Sequence, residues 1–247
     1  MRVVKSFSIM LLLAVAVVAC RSERGDVPLP EYEDLKISES GDRFSVDILY
    51  KRIKNCEKSD ALSAIESTNY AVTFDEYAVE PADVLGSAQL LIDEYAAAAH
   101  EYAEYGGEYY YTLVQDVSFS RDNSVVCYES FVEILSGGAH GALSLMYDCY
   151  DMASGQMYDL SYLFDGEWAQ ALRMLIYDRL NLLDGVSLVI DSADEVHVTH
   201  SIMITDEGLL FAYQPSEVAH ATAGVLTVEL TDADIAATGA PLVWVME

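Results

Sequence analysis

Histidine, glycine and acidic residues are the side chains through which this sequence could do chemistry. His140 lies in the run SGGAHGA, where glycines at positions 137, 138 and 141 give the backbone conformations that other residues rarely adopt. The sequence therefore predicts a hairpin that Gly137, Gly138 and Gly141 hold in shape. That hairpin either presents His140 to a ligand or uses its imidazole to tie the loop to neighbouring backbone.

The other histidines and the acidic residues predict no catalytic or metal centre. His197 and His200 fall in a segment, 196–205, whose alternation predicts a strand, so their imidazoles would point to opposite faces. The sequence contains no nucleophile elbow, phosphate loop, dinucleotide fingerprint or HExxH motif. Its 41 acidic residues make acidic pairs unavoidable. We therefore predict no enzyme activity, no metal and no cofactor. The alternative is a carbohydrate hydrolase that uses acidic residues in a cleft.

Hydrophobic periodicity predicts the elements that must position these residues. Alternation predicts strands over 44–53, 109–117, 125–135, 143–152, 196–205, 209–213 and 225–230. Steps of three and four residues predict helices over 81–105 and 166–183. Gly106 and Gly107 would end the first helix, and Asp165 would cap the second. We predict an α+β fold, in which an antiparallel sheet packs against helices in two small subdomains.

Composition and charge exclude several classes of protein. The chain has 247 residues and is 52% hydrophobic, which is enough for a sizeable core. A net charge of −28 excludes a nucleic-acid binder, because phosphate binding needs a basic surface. Residues 21–60 hold eight basic and ten acidic residues, whereas residues 61–247 hold three basic and 31 acidic residues. Such an acidic body either keeps an exported protein dispersed or attracts a cationic partner.

The N-terminus has the order of a bacterial lipoprotein signal peptide. Arg2 and Lys5 precede an apolar run over residues 9–19, which is short for a membrane span. The run ends in Val-Val-Ala-Cys, which resembles a lipobox, and the resemblance implies that Cys20 is lipidated and becomes the mature N-terminus. We expect residues 1–19 to be removed and residues 20–40 to form a polar tether. The protein would then be a lipid-anchored lipoprotein of the cell envelope, periplasmic or surface-exposed.

Three cysteines follow Cys20. Cys127 and Cys149 would lie opposite each other if the strands flanking the glycine-rich loop fold symmetrically about Gly138. Such a pair could form a disulfide, or both cysteines could be small buried hydrophobic residues. The odd count leaves at least one of the three unpaired.

The C-terminal half of the sequence resembles the family called domain of unknown function 3298. An ordered set of segments carries the resemblance: SGGAHG at 136–141, DMASG at 151–155, YDLSYLF at 158–164, GLLFAY at 208–213, and the segment from Glu217 to Gly224. Residues 41–107 resemble, more weakly, the smaller domain 4163 that often precedes it. The resemblance implies one domain over 41–107 and a second over 108–247.

This resemblance implies a binding or sensing module without catalysis. The 3298 domain forms the lysozyme-sensing part of a bacterial anti-sigma factor, and it occurs beside polysaccharide deacetylase domains and in exported lipoproteins. A cationic wall-active protein such as lysozyme, or a wall glycan, is therefore the expected partner, and a purely structural envelope lipoprotein is the remaining alternative. The candidate binding or loop-structuring residues are Gly137, Gly138, His140, Gly141, Tyr213 and Glu217.

Overall fold

The computed structural model describes residues 27–79, 82–164 and 168–239, and the described chain forms two sheets and five helices. The strands are β1 (Tyr32–Gly41), β2 (Phe44–Ile53), β3 (Tyr109–Ser120), β4 (Val125–Ser136), β5 (Ala142–Asp151), β6 (Ile202–Ile204), β7 (Gly208–Tyr213) and β8 (Leu226–Thr231). The helices are α1 (Asp60–Phe74), α2 (Val84–Glu101), α3 (Leu160–Leu163), α4 (Ala169–Leu180) and α5 (Asp232–Ala237). The predicted α+β fold class is confirmed.

The larger sheet has the order β1-β2-β3-β4-β5, and the smaller one has the order β6-β7-β8. All neighbouring strands are antiparallel except β2 and β3, which pair in parallel. The prediction of an antiparallel sheet did not include this pair. A parallel pair needs a long crossover connection, and here α1 and α2 supply it. The predicted boundary between residues 107 and 108 falls between α2 and β3, so strands from both sides of it share one sheet.

The larger sheet carries a hydrophobic core on each face. Helices α1 and α2 cover one face, where the buried residues include Val46, Ile48, Tyr50, Tyr70, Phe74, Ala88, Leu91, Ile92 and Leu113. The opposite face of β4 and β5 packs against α4 and the smaller sheet, where the buried residues include Cys127, Cys149, Leu172, Ile176, Leu209, Phe211 and Leu230. No helix among the described residues combines the length and apolarity that crossing a bilayer requires.

A buried glutamine joins the first helix to three strands. Gln115 in β3 accepts a hydrogen bond from the Lys51 backbone N–H of β2 at 3.1 Å. Its amide Nε2 donates to Asn69 Oδ1 at 3.0 Å and to the hydroxyls of Thr73 and Ser130, both at 3.2 Å. Gln115 and Asn69 are each 1% exposed, so these bonds satisfy polar groups that water does not reach.

Cys127 and Cys149 face each other in the β4–β5 register and form a disulfide. The symmetry predicted about Gly138 is therefore present. The pair occupies a non-hydrogen-bonded position of the ladder, because the Cys149 carbonyl points away from β4 and accepts a bond from the Tyr158 N–H. Side chains approach most closely at such positions. Cys56 is the free cysteine among the described residues, and it is half-buried.

Strand β1 and helix α1 were not predicted. Residues 32–40 lie in β1, so the part of the predicted tether that they form is strand. Leu35 and Ile37 of β1 pack against the core, but Glu33 and Glu39 share their face and hide the alternation. Helix α1 is obscured in the same way by a buried Asn69 on its inner face. Residues 20–26 lie outside the described residues.

Three predicted elements differ in extent from the observed ones. The first predicted helix, 81–105, is α2, which starts after an Asp83 cap and ends at Glu101. The second, 166–183, is α4, and its predicted cap Asp165 lies outside the described residues. The predicted strand 196–205 is reduced to β6. His197 and His200 precede β6, so the alternation expected for them does not apply, and both are exposed.

Candidate binding surface

Glycines bring two loops together at one end of the larger sheet. Gly137, in the turn between β4 and β5, has a φ of +71° and donates its N–H to the Glu108 carbonyl at 2.9 Å. A Cβ on Gly137 would lie 2.5 Å from the Tyr109 hydroxyl, and a Cβ on Gly107 would lie 2.7 Å from the Gly137 Cα. Glycine is therefore needed at Gly137 for conformation and for space.

The other two glycines of the turn have different environments. Neither Gly138 nor Gly141 has a positive φ. A Cβ on Gly141 would lie 2.9 Å from the Tyr110 hydroxyl and 3.0 Å from the Ile134 carbonyl oxygen, so Gly141 makes room for a tyrosine that crosses the sheet. A Cβ on Gly138 would meet nothing closer than 3.8 Å. The backbone argument therefore holds for Gly137, a steric argument holds for Gly141, and neither holds for Gly138.

His140 lies at the exposed tip of this turn. No hydrogen bond or ion pair joins its imidazole to any other residue in the described ranges. The alternative in which the imidazole ties the loop to neighbouring backbone therefore has no support in the structure. The side chain is free to contact a ligand.

Exposed tyrosines lie on the loop that meets this turn. Tyr102 and Tyr105 follow α2, are 43% and 77% exposed, and have ring centroids 6.4 Å apart. Arg43 holds their loop by donating from Nη1 to the Ala103 carbonyl at 2.6 Å. On the sheet beside the turn, the Tyr110 hydroxyl donates to Glu133 Oε1 at 2.9 Å. Sequence analysis missed these tyrosines, although the run from Tyr102 to Tyr111 carries five of them.

We call this region the hairpin end and define it by Tyr102, Tyr105, Tyr110, Glu133 and His140. The segments that form it also carry Glu101, Glu104 and Glu108. Glu101 raises the pKa of the Tyr102 hydroxyl, and Glu133 raises that of Tyr110, as expected where anions crowd an aromatic surface. Aromatic rings give contact area at low entropic cost, and the glutamates make the surrounding potential negative.

Tyr213 and Glu217, the other candidate binding residues, are occupied in the fold. Tyr213 is fully buried, and its hydroxyl donates to the His197 carbonyl at 3.0 Å. Glu217 Oε2 accepts the Gln214 N–H at 2.6 Å, and its Oε1 lies 3.5 Å from His197 Nε2. No hydrogen bond or ion pair links either residue to the described turn at 137–141. Both residues shape the segment after β7.

The turn built by Glu217 positions a glutamine that closes the outer edge of β5. Gln214 Oε1 accepts the Leu145 N–H at 2.9 Å, and its Nε2 donates to the Leu145 carbonyl at 2.8 Å. The Ser201 hydroxyl accepts the next outward N–H, that of Tyr147, at 3.0 Å, and donates to Leu145 O at 3.1 Å. These side chains replace the missing neighbouring strand. No sequence pattern distinguishes Gln214 from a surface residue.

Two half-buried carboxyls bear on the alternative of a hydrolase. Burial raises the pKa of Glu66, which accepts bonds from the Tyr50 hydroxyl at 3.1 Å and the Ile53 N–H at 2.8 Å. Burial also raises the pKa of Asp148 to about 6. Glu66 lines a cavity of about 510 Å³ with Cys56, and Asp148 is not among the lining residues. The two acids with raised pKa therefore do not converge on that cavity, as hydrolysis of a glycosidic bond would require.

The described residues contain no group of three or more histidine, cysteine or acidic side chains arranged to hold a metal ion. His197 is engaged by Glu217 and by the edge of the Tyr213 ring, whose centroid is 5.4 Å away.

Comparison with known proteins identifies the fold. No family model and no curated protein matches the sequence. A crystal structure of a DUF3298 family member from Bacteroides fragilis has a TM-score of 0.67 at 16% identity, covering 83% of this chain and 91% of that one. A DUF3298 family protein from Pseudomonas aeruginosa has a TM-score of 0.56 at 15% identity, covering 87% of this chain and 96% of that one.

The chain is thus an α+β protein with the fold seen in the DUF3298 family. The resemblance that the sequence motifs indicated is confirmed at the level of fold. The resemblance of residues 41–107 to domain 4163 stays a prediction.

Replacing Gly137 tests the backbone requirement at the hairpin end. We expect Gly137→Val to destabilise the protein by about 1–2 kcal/mol or more, because valine would adopt a positive φ and meet the Tyr109 hydroxyl. Gly138→Val is the matched control and should cost much less, because Gly138 has no positive φ and a Cβ there would meet nothing closer than 3.8 Å. Thermal unfolding of the three proteins measures the difference, and equal losses in both variants would contradict the argument.

The raised pKa of Asp148 predicts that the free energy of unfolding depends on pH. Its folded pKa of about 6 exceeds the usual value of 3.8, so the folded state holds the proton more tightly. Burying the ionised carboxylate lowers the free energy of unfolding. This loss is absent below pH 3.8, grows as pH rises, and is fully present above pH 6. Asp148→Asn removes this cost and should stabilise the protein at pH 8 by on the order of 1–3 kcal/mol, but hardly at pH 4.

Asp116→Asn is the control, because the Asp116 side chain is 79% exposed. It should shift the melting temperature little at either pH. A stabilisation by Asp148→Asn that is the same at pH 4 and pH 8 would show that ionisation of this carboxyl is not its cause.

Proposed function

We propose that this protein is a non-catalytic cell-envelope lipoprotein that binds a cationic wall-active protein, such as lysozyme, through the hairpin end. The observation that carries the proposal is the pair of exposed rings, Tyr102 and Tyr105, beside a free His140 and among glutamates. Buried aromatic anchors supply most of the binding energy of typical interfaces, and rings already held at the surface lose little freedom on binding. The acidic surroundings select for a basic partner.

The charge of the whole body supports the same class of partner. Beyond residue 60 the chain has three arginines, and two of them are paired within the fold. Arg121 forms a bidentate pair with Asp232 at 2.6 and 2.9 Å, and Arg179 lies 2.8 Å from Asp234. The third, Arg173, is one positive charge against 31 acidic residues, so the acidic excess of residues 61–247 is not offset. Such a field raises the association rate with cationic proteins and weakens as salt rises.

Titration of the full-length protein with lysozyme, at low and at physiological salt, tests the proposal. We expect a dissociation constant of roughly 10–100 μM at low salt, rising with salt. Tyr105→Ala should weaken binding roughly tenfold, because it removes an anchor ring. The control Leu182→Ala, which also truncates an exposed side chain elsewhere, should leave binding unchanged.

A second pair of variants separates a defined surface from general attraction. Glu104→Gln and Asp122→Asn each remove one exposed negative charge, at the hairpin end and at the β3–β4 turn respectively. A larger loss with Glu104→Gln supports the hairpin end. Equal losses of affinity in the two variants would show that the net charge of the protein attracts lysozyme and that the hairpin end is not a defined binding surface. Binding of chitin oligosaccharides with loss in Tyr105→Ala, but no binding of lysozyme, would make a wall glycan the ligand instead.

Anchoring in the envelope has its own test. We expect Cys20→Ser to abolish metabolic labelling with palmitate and to release the protein from the membrane fraction or stall its processing, because the lipid acceptor is gone. Cys56→Ser is the control and should keep both labelling and membrane retention. Membrane retention and processing of Cys20→Ser identical to the unmodified protein would overturn the anchor.

A further inference from the structure

The two outer edges of the larger sheet differ in how their outward backbone groups are hydrogen-bonded. On β5 the outward backbone groups of Leu145 and Tyr147 are bonded by the side chains of Gln214 and Ser201. Just before β1, the Glu31 carbonyl accepts the Lys54 N–H at 2.7 Å, so the backbone groups of Glu31 point toward β2. Residues alternate along an antiparallel strand, so the odd-numbered positions of β1 bond to β2.

The even-numbered residues of β1 therefore turn their backbone groups outward: Tyr32, Asp34, Lys36, Ser38 and Ser40. No hydrogen bond joins these outward backbone groups to the residues that the structure describes. The strand has ten residues, pairs with β2 without a bulge and contains no proline. A long regular edge of this kind is a template for another strand.

We propose that β1 pairs antiparallel with β1 of a second copy of this chain, about a two-fold axis. The charge distribution favours this place over any other surface. Residues 32–53, which form β1, β2 and the turn between them, hold four basic and five acidic residues, whereas residues 61–247 hold three and 31. Two copies of a protein with a net charge of −28 repel each other, and this repulsion is weakest where the segment that makes contact is nearly neutral.

The side chains of β1 favour a register that opposes unlike charges. An axis at Leu35 places Lys36 opposite Asp34 of the second copy, and it does so twice by symmetry. An axis at Lys36 would place two lysines opposite each other, and an axis at Asp34 would place two aspartates there. Directly opposed like charges are unfavourable and opposed unlike charges are favourable. The axis at Leu35 also sets the half-buried Leu35 side chains of the two copies against each other.

A cysteine at the axis tests this register in the full-length protein. In a Cys56→Ser background, Leu35→Cys would face itself in a non-hydrogen-bonded pair, with Cα atoms about 4.5 Å apart, and should form a disulfide-linked dimer under mild oxidation. Ile37→Cys is the control, because four residues of strand, about 13 Å, would separate it from its copy. Equal cross-linking at both positions, or none at Leu35→Cys, would overturn the register.

A backbone change tests the edge itself. Ser38→Pro removes an outward N–H that would donate to the Tyr32 carbonyl of the second copy, whereas Ser38→Ala keeps it. Both variants lose the Ser38–Asp47 hydrogen bond of 2.5 Å, so that loss cancels in the comparison. Sedimentation of full-length protein in detergent should show self-association at least tenfold weaker for Ser38→Pro than for Ser38→Ala, with both folded by circular dichroism. Equal self-association of the two variants, or a monomer at every concentration of the unmodified protein, would overturn the proposal.

Discussion

The parallel pairing of β2 with β3 is the constraint on which the rest of the structure depends. It is the one place where the two N-terminal strands join the three that follow α2, and its register runs only from Phe44–Tyr109 to Leu49–Val114. Beyond that point β2 still pairs with β1 but has no β3 neighbour, so its Lys51 N–H, which faces the β3 side, would have no strand partner. The Gln115 side chain accepts that N–H and binds Asn69 of α1, so one residue extends the junction and fixes the helix above it.

This junction also accounts for the position of the hairpin end. Because β3 begins beside Phe44, the loop after α2 must return to the same end of the sheet where β4 ends and β5 begins. The backbones of the two loops therefore lie in contact at Gly107 and Gly137, which is possible because neither residue has a side chain. The rings of Tyr102 and Tyr105 remain outside, because the space beneath their loop is filled by backbone.

Much of the fold was predictable from local pattern. Strands β2 and β8 alternate cleanly, and β4 and β7 are rich in apolar residues. The symmetry of β4 and β5 about Gly138 placed Cys127 opposite Cys149. Strand β1 was not predicted, because Glu33 and Glu39 lie on the same strand face as its apolar residues. Helix α1 was not predicted, because Asn69 is buried on its inner face, where an apolar residue is expected. The parallel pair was hidden as well, since nothing local to β2 or β3 shows that the chain between them crosses over the sheet.

The candidate site was only partly predictable, for a related reason. The glycines around His140 signal a special backbone, and the structure bears this out for Gly137, but spacing does not show which loop lies against the turn. Tyr213 and Glu217 carried the family pattern, and here they shape the segment that brings Gln214 to the edge of β5. A motif residue can therefore preserve the fold without touching a ligand.

The acidic excess links the surface to the fold. Arg121 and Arg179 are held by Asp232 and Asp234 at the start of α5, where they join the helix to the β3–β4 turn and to α4. Eight of the thirteen basic residues lie in residues 21–60, which include β1 and β2. The edge formed by β1 and β2, residues 32–53, has four basic and five acidic residues and is nearly neutral, whereas residues 61–247 are strongly negative. A second copy of this chain that makes contact away from that edge must overcome repulsion between like charges, whereas a cationic partner is attracted there.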